Sequence, residues 1–296
     1  MFAVGLCVDE RYLLPSLVVL ESVASTLPPS VRREVAVRVL TLDLTPQHAV
    51  TMAHLAARLG FGSFDLRWAR PMREAVMADT GYISVTAYLR FQFTPAFLAR
   101  PYLIYIDADT LAVDDISTPL ADLPDDRLGL VIDEFGPVVG RGHGLPGLLA
   151  DRPELAGRPY FNSGMWWAPT GLLPVLRTGV RAALRSGRRY IFHNDQDALN
   201  LWLLHSDAAH PVSGRFNTYE LACFLERGTW TRRYTTRAPY PADVALLHFV
   251  GSAKPWLPMC PPTEHVRLYR TRLRDALRTV HRLGDLSLDS YALGRA

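Results

Sequence analysis

Lysine is almost missing from this chain: of 32 basic residues, Lys254 is the single lysine, which leaves 31 arginines. A generic positive charge is written as arginine throughout, so Lys254 marks a place that wants a compact ammonium. Cysteine is scarce too. The three present, Cys7, Cys223 and Cys260, are odd in number and far apart. That pattern excludes a disulfide framework or a thiolate metal site and suits a reducing compartment, with the cysteines as small core residues. No apolar run approaches the ~20 residues of a membrane span. The opening "MFAVGLCVDERYLLP" carries no basic leader, and Asp9, Glu10 and Arg11 interrupt its apolar run, so no signal peptide is expected and a cytoplasmic location is. With a net charge of only +3, the chain lacks the charge for nucleic acid.

What is present is an ordinary globular composition, 49% hydrophobic and 21% charged over 296 residues. "FAVGLCV", a helical "YLLPSLVVLESVAST", "EVAVRVLTLD", a helix from Pro46 to Gly60, and "FDLRWA" give a β-α-β-α-β opening. This alternation predicts an α/β fold with a mainly parallel sheet and helices on its faces. "SVTAYLRFQF" is predicted helical, "PYLIYIDADT" and "RLGLVIDE" continue the sheet, and "DVALLHFVG" is a last buried strand. The Gly-, Pro- and Arg-rich stretch 136–159 is predicted to be a long mobile loop. Absence of repeats or a linker suggests one domain over 1–262, followed by a tail over 263–296. In that tail Val266, Tyr269, Leu273, Leu277, Val280 and Leu283 share one helical face among arginines. Such a helix either packs on the domain or rests on an anionic membrane surface.

The chemistry gathers at strand ends. Four apolar residues run directly into Asp107 and Asp109, at the edge of an α/β sheet where ligands bind. Two carboxylates two residues apart around a turn can converge on one divalent cation, and oxygen ligands suit Mn²⁺ or Mg²⁺. His248 ends another apolar strand and offers a neutral imidazole as third ligand. Gly251 lets backbone approach a ligand, and Lys254 supplies a point charge for phosphate. Together these residues describe a site for a metal-bound pyrophosphate. "FNSG", taken as a strand end, carries Asn162 and Ser163, small groups able to bond sugar hydroxyls. In "HNDQDALN" the first helical turn holds Asp195, Gln196 and Asp197; acids there favour the helix dipole, and at least one should face inward.

In order along the chain, Asp9, "AYLRF", "LIYIDADTLAVDDI", "YFNSGMWW", "NDQDALN" and "HFVGSAKPW" resemble the family-8 retaining glycosyltransferases, which include bacterial lipopolysaccharide galactosyltransferases and glycogenins. The resemblance implies a GT-A fold, one Rossmann-like domain that binds a UDP-sugar and Mn²⁺, with Mg²⁺ as the alternative. It implies Asp107, Asp109 and His248 as metal ligands, Asp9 at the uracil edge, and Tyr12 stacked on the ring. Ala108 lies within the same nucleotide-sugar set. Arg90, Asn162, Ser163, Asp195 and Gln196 would meet the donor sugar, and Gly251 and Lys254 the diphosphate. Gln196 stands where a nucleophile is expected, but a neutral amide is a poor one, which favours attack of the acceptor on the face the leaving group departs from. The implied reaction transfers a hexosyl unit, galactose or glucose, to a glycan, lipid-linked, peptide or small-molecule acceptor.

Two departures stand out: Arg11 near the nucleotide, where related enzymes carry a small polar residue, and 136–159, which matches nothing in the family. Two other readings remain open at this level. A haloacid-dehalogenase-like phosphotransferase also has an acidic pair after a strand, but needs Thr or Val where Leu111 stands. An inactive nucleotide-sugar-binding module would keep binding without turnover.

Overall fold

The computed structural model describes residues 1–75, 84–141, 144–145, 147–220, 243–251 and 254–282. Its centre is a seven-stranded sheet in the order β3-β2-β1-β4-β7-β6-β8. These strands are β1 (Phe2–Cys7), β2 (Ala36–Thr41), β3 (Ser63–Trp68), β4 (Tyr102–Ile106), β6 (Leu128–Ile132), β7 (Phe161–Pro169) and β8 (Ala209–Val212). Neighbouring pairs are parallel except at β7, which runs against both β4 and β6. β1, β2 and β7 are buried along their whole length, as expected of strands covered on both faces.

The predicted opening alternation is present. Helix α1 (Leu13–Thr26) follows β1, and α2 (Pro46–Leu59) joins β2 to β3. Thr45 caps α2 by accepting the His48 N–H at 3.2 Å, and Gly60 closes its C-terminal end. α1 is apolar on nearly every side because it is enclosed on several: it packs against β5 (Thr110–Ala112) and against the tail helix as well as the sheet. On the opposite face lie α3 (Leu173–Ser186) and α4 (Asn194–Ser206), whose Leu176, Val180, Leu199 and Trp202 fill a second core cluster.

A smaller three-stranded sheet, β5-β10-β9, carries β10 (Leu246–His248) between β5 and β9 (Thr218–Tyr219). The last apolar strand foreseen from sequence therefore belongs to this second sheet. Its register sets His248 opposite Thr110 on one side and Tyr219 on the other. His248 is thereby fixed beside the residue that follows Asp109.

"AYLRF" is helical as expected, within the 3₁₀ helix Val85–Gln92. Two expectations need correction. "FNSG" does not end a strand; it opens β7. Because β7 is antiparallel, its beginning lies at the edge where its neighbours finish, so Asn162 and Ser163 still reach the strand-end edge. The stretch 136–159 is not a structureless loop. It bridges Val138 to Pro159 and contains a helical turn, Leu148–Asp151. Val139, Leu145, Leu148 and Leu155 bury themselves against Tyr160 in a small core of their own.

The tail helix, α5 (Glu264–Arg282), presents Val266, Tyr269, Ala276 and Val280 to the interior, all fully buried. Its apolar face is thus occupied by the protein's own core and is not available to enter a lipid surface. Leu283 lies outside the described residues. Among those residues no helix is long and apolar enough to cross a membrane. Cys7 and Cys260 are buried, and Cys223 lies outside the described residues.

Candidate active site

A cavity of ≈ 230 Å³ opens at the strand-end edge, and it gathers thirteen residues singled out from sequence: Asp9, Tyr12, Arg90, Asp107, Ala108, Asp109, Asn162, Ser163, Asp195, Gln196, His248, Gly251 and Lys254. They arrive from six separate stretches of chain. Their meeting follows from the topology: β1, β4 and β6 end here, β7 begins here, and β10 delivers His248 from the smaller sheet.

At one end of the cavity Asp107, Asp109 and His248 each offer a ligand atom within 4.8 Å of the others. The backbone fixes their spacing: Asp107 N donates to Gly164 O at 2.7 Å, and Phe249 N donates to Asp109 O at 2.9 Å. Gly164 is obligatory there. A Cβ would stand 2.4 Å from His248 Cε1 and 2.9 Å from Asp107 Oδ2, inside the space between these side chains. The His248 tautomer follows from its neighbour. Asn217 Nδ2 donates to Asn162 Oδ1 at 2.8 Å, which turns Asn217 Oδ1 toward His248 Nδ1, also at 2.8 Å. Nδ1 therefore carries a proton, and Nε2 faces Asp109 Oδ1, 3.4 Å away. Two carboxylates and an imidazole whose Nε2 is turned toward them form a donor set that fits Mn²⁺.

Lys254 closes this end. It is 5% exposed, and its Nζ lies 2.6 Å from Asp109 Oδ2 and 2.8 Å from Phe249 O. Burial opposes the charge on Asp109, but Lys254 and His248 outweigh it and hold the carboxyl well below the ordinary range. Asp107 behaves differently. Burial raises its carboxyl against the pull of Arg90, and the Asp109 charge adds to the rise. Gly251 takes a positive φ of 89°, a backbone conformation that favours glycine.

The other end is a closed polar network. Arg90, 4% exposed, donates from Nη2 to Asp107 Oδ1 at 2.9 Å and from Nη1 to Ser163 O, with Nε 3.2 Å from Asp195 Oδ2. Ser163 Oγ also donates to Asp195 Oδ2, at 2.9 Å. Gln196 is oriented by Ser163 N and Asn162 Nδ2, which donate to its Oε1 at 3.2 and 2.8 Å. Its Nε2 then donates to Asp133 Oδ2 at 3.1 Å.

Asp133 is the residue that sequence reasoning missed. Its Oδ2 also accepts from Tyr219 Oη at 2.6 Å, and its Oδ1 accepts Phe135 N and Gly136 N at 2.9 and 2.8 Å. The signal existed, since "LGLVIDE" is an apolar strand running into acids just as "YLIYIDAD" is. Tyr219, a second omission, sits edge-on to His248 at 5.6 Å and so joins the two ends of the cavity. Cys7 also lines the cavity, but burial pushes its thiol upward, so it remains neutral.

Asp9 also lines the cavity; it is buried, and its Oδ1 has no hydrogen-bond partner. Such an oxygen is costly unless a ligand N–H completes it. Tyr12 lines the cavity too, with burial pushing its hydroxyl up to about 12. Arg11 is largely solvent-exposed and approaches Asp9 Oδ2 at only 3.5 Å.

The family model described as "Glycosyl transferase family 8" matches residues 3–260. Galactosyltransferase LgtC, solved in complex with donor and acceptor sugar analogues, superposes with a TM-score of 0.69 at 22% identity, covering 92% of this chain and 95% of that one. Glycosyltransferase GlyE of Streptococcus pneumoniae, in its apo form, gives 0.65 at 16% identity, covering 95% of this chain and 62% of that one. Mouse xyloside xylosyltransferase 1 gives 0.57 at 14% identity over 84% of this chain and 97% of its own. No curated protein matches the chain by sequence. These likenesses identify the mixed α/β fold as GT-A, and the family match removes the phosphotransferase alternative. The chain belongs to glycosyl transferase family 8.

Proposed function

We propose that the protein transfers a hexosyl unit, galactose or glucose, from a UDP-sugar to an acceptor hydroxyl with retention of configuration, using Mn²⁺. The observation that carries this reading is the convergence of Asp107, Asp109 and His248, its ring oriented by Asn217, beside the buried Lys254. The unpartnered Asp9 Oδ1 supports it from the other side, as an acceptor suited to the N3–H of a uracil ring.

In this reading Asp107, Asp109 and His248 hold the metal, which when bound supplies electrostatic stabilisation of the diphosphate leaving group. The remaining work belongs to the chain. Lys254 sits on the metal side of the cavity, where its ammonium answers the charge that grows on the β-phosphate as the anomeric bond breaks. Arg90 fixes Asp107 and Asp195 together, so the metal end and the sugar end keep one geometry. Gln196 is a poor nucleophile because its Oε1 already accepts from Ser163 N and Asn162 Nδ2. Asp133 is equally committed to its donors. This favours attack of the acceptor hydroxyl on the departing face, its proton passing to the leaving phosphate.

The test is acceptor-free hydrolysis of a panel of UDP-sugars with and without Mn²⁺. Slow, Mn²⁺-dependent release of UDP from one of them is expected and names the donor. Binding without any turnover would identify an inert binding module instead. With an acceptor in hand, anomeric coupling constants of the product are expected to show an α-linkage; a β-linkage would end the retaining assignment.

A further inference from the structure

The family match ends at residue 260, and α5 begins at Glu264. Yet α5 is bonded to the donor side of the cavity. Arg270 donates from Nε to Pro255 O at 2.9 Å, and from Nη2 to Leu257 O at 2.9 Å and Cys260 O at 3.1 Å. All three carbonyls belong to the turn that leaves Lys254, which folds back through Leu257 N to Lys254 O at 2.9 Å and Cys260 N to Leu257 O at 3.1 Å. Neighbouring arginines on the helix act otherwise: Arg272 meets Glu21, and Arg278 meets Asp275. A planar fork with several fixed donors suits a cluster of carbonyls in a way that a single ammonium does not.

The residue before Arg270 works on the same loop through packing. Tyr269 is fully buried between Phe249 at 5.1 Å and Trp256 at 5.9 Å, and Trp256 meets Tyr12 edge-on at 5.7 Å. Phe249 is also the residue whose carbonyl accepts from Lys254 Nζ. Both the backbone that carries Lys254 and an acceptor that aims its ammonium are therefore held by α5.

We propose that Arg270 is a positioning residue for the donor diphosphate, acting through Lys254, and that α5 forms part of the donor site. The proposal rests on the reading of Lys254 as the cation that meets the diphosphate. Arg270 touches no reacting atom. It pre-orders the Lys254 turn, so that the cost of ordering is met on folding and not on binding.

The experiment is a double-mutant cycle read by calorimetric binding of UDP and of uridine in Mn²⁺. It compares the full-length wild type, Arg270→Ala, Lys254→Ala and the double variant, with a melting curve for each. Arg270→Ala is expected to weaken UDP by about tenfold, within the range usual for residues that support a ligand-contacting group. Uridine, which has no phosphate, should bind as to the wild type. In the Lys254→Ala background Arg270→Ala should cost little more, because coupled residues are not additive. Arg270→Lys keeps the charge but loses the fork, and serves as the second variant if alanine prevents folding; it too should weaken UDP and spare uridine.

Wild-type UDP affinity in these variants overturns the proposal. So does equal weakening of UDP and uridine, or a full additive loss on top of Lys254→Ala; either would make Arg270 a general stabiliser. A wild-type protein that binds no UDP would overturn the donor reading itself, and this proposal with it.

Discussion

In "DAD", Asp107 and Asp109 stand two residues apart across the step from β4 to β5, and both carboxylates reach the same metal-sized space as His248. In "NDQD", Asp195 and Asp197 are also two apart, but they occupy the first turn of α4 and part company. Asp195 turns into the cavity and meets Arg90 and Ser163. Asp197 turns away from it and accepts from Tyr160 Oη at 2.7 Å, from Phe192 N at 2.6 Å and from His193 N. Successive helical residues advance about 100°, so positions two apart point to opposite sides, whereas an extended step with a turn can return both to one side. The same spacing makes a shared site in one backbone and two separate tasks in the other. Burial adds a second contrast. Asp109 is held charged by Lys254 and His248, while burial pushes the Asp197 carboxyl up to about 6, against the hydrogen bonds from His193, Tyr160 and Phe192.

The largest expected effect tests the shared site. Asp109→Asn replaces a charged ligand with a weaker neutral one and removes the anion beside Lys254. Mn²⁺-dependent UDP-sugar hydrolysis should fall roughly 10²–10³-fold, the scale seen when a preorganised electrostatic contact is lost. Asp197→Asn should leave hydrolysis within a few-fold, since that carboxylate does not line the cavity. Equal losses in both variants would break the comparison, because the two motifs would then be acting on one site.

Stability should separate them in the opposite sense. Asp197 has a folded-state pKa of about 6 against an ordinary 3.8, so its carboxyl favours folding when protonated. That contribution is complete below about 3.8 and is lost as pH rises through about 6. A two-unit rise corresponds to roughly 3 kcal/mol between the two limits, an order-of-magnitude figure. Wild type should therefore gain on Asp197→Asn by that order as pH falls from 7 to 4, read from denaturant midpoints at each pH. A difference that stays flat across the window would show that the carboxyl is ordinary and that its burial has no titration consequence.

How far the site could be read from sequence follows the same logic. Strand ends were legible, because an apolar run stopping at polar residues marks the edge of a sheet: Asp107, Asp109 and His248 were found this way. Asp133 carries the same signature at the end of β6 and was passed over, because "VIDE" alone does not say that Tyr219, 86 positions later, will meet it. Partners at that separation are set by sheet order and register, which one sequence does not print. Strand direction was hidden for a similar reason. "FNSG" looks like a strand end until β7 is known to run antiparallel. Gly164 had a local sign, a glycine inside a buried strand, but its cause lies in His248 and Asp107 across the sheets. The apolar stripe of α5 was plain, whereas its target was not, since lipid and core make the same demand on that face.

Each motif also has a basic partner, and the two partners differ in kind. Arg90 spreads its fork over Asp107, Asp195 and the Ser163 carbonyl, which uses a planar group with donors in several directions. Lys254 is set against one oxygen of Asp109 and one carbonyl, buried beside the Asp107, Asp109 and His248 cluster. A broad guanidinium at position 254 would reach past Asp109 Oδ2 toward His248 Nε2, the space a divalent ion needs. A slim ammonium leaves that space and can pass from Asp109 to a phosphate oxygen as charge develops there. Lys254→Arg should therefore keep the charge and lose at least about tenfold in hydrolysis rate, near 1.4 kcal/mol of transition-state stabilisation. The exchange made at Arg90 should fail for the opposite reason: Arg90→Lys can serve one carboxylate but not both. If Lys254→Arg turns over at the wild-type rate, the two cations are interchangeable, and the chain's one departure from arginine has no chemical cause.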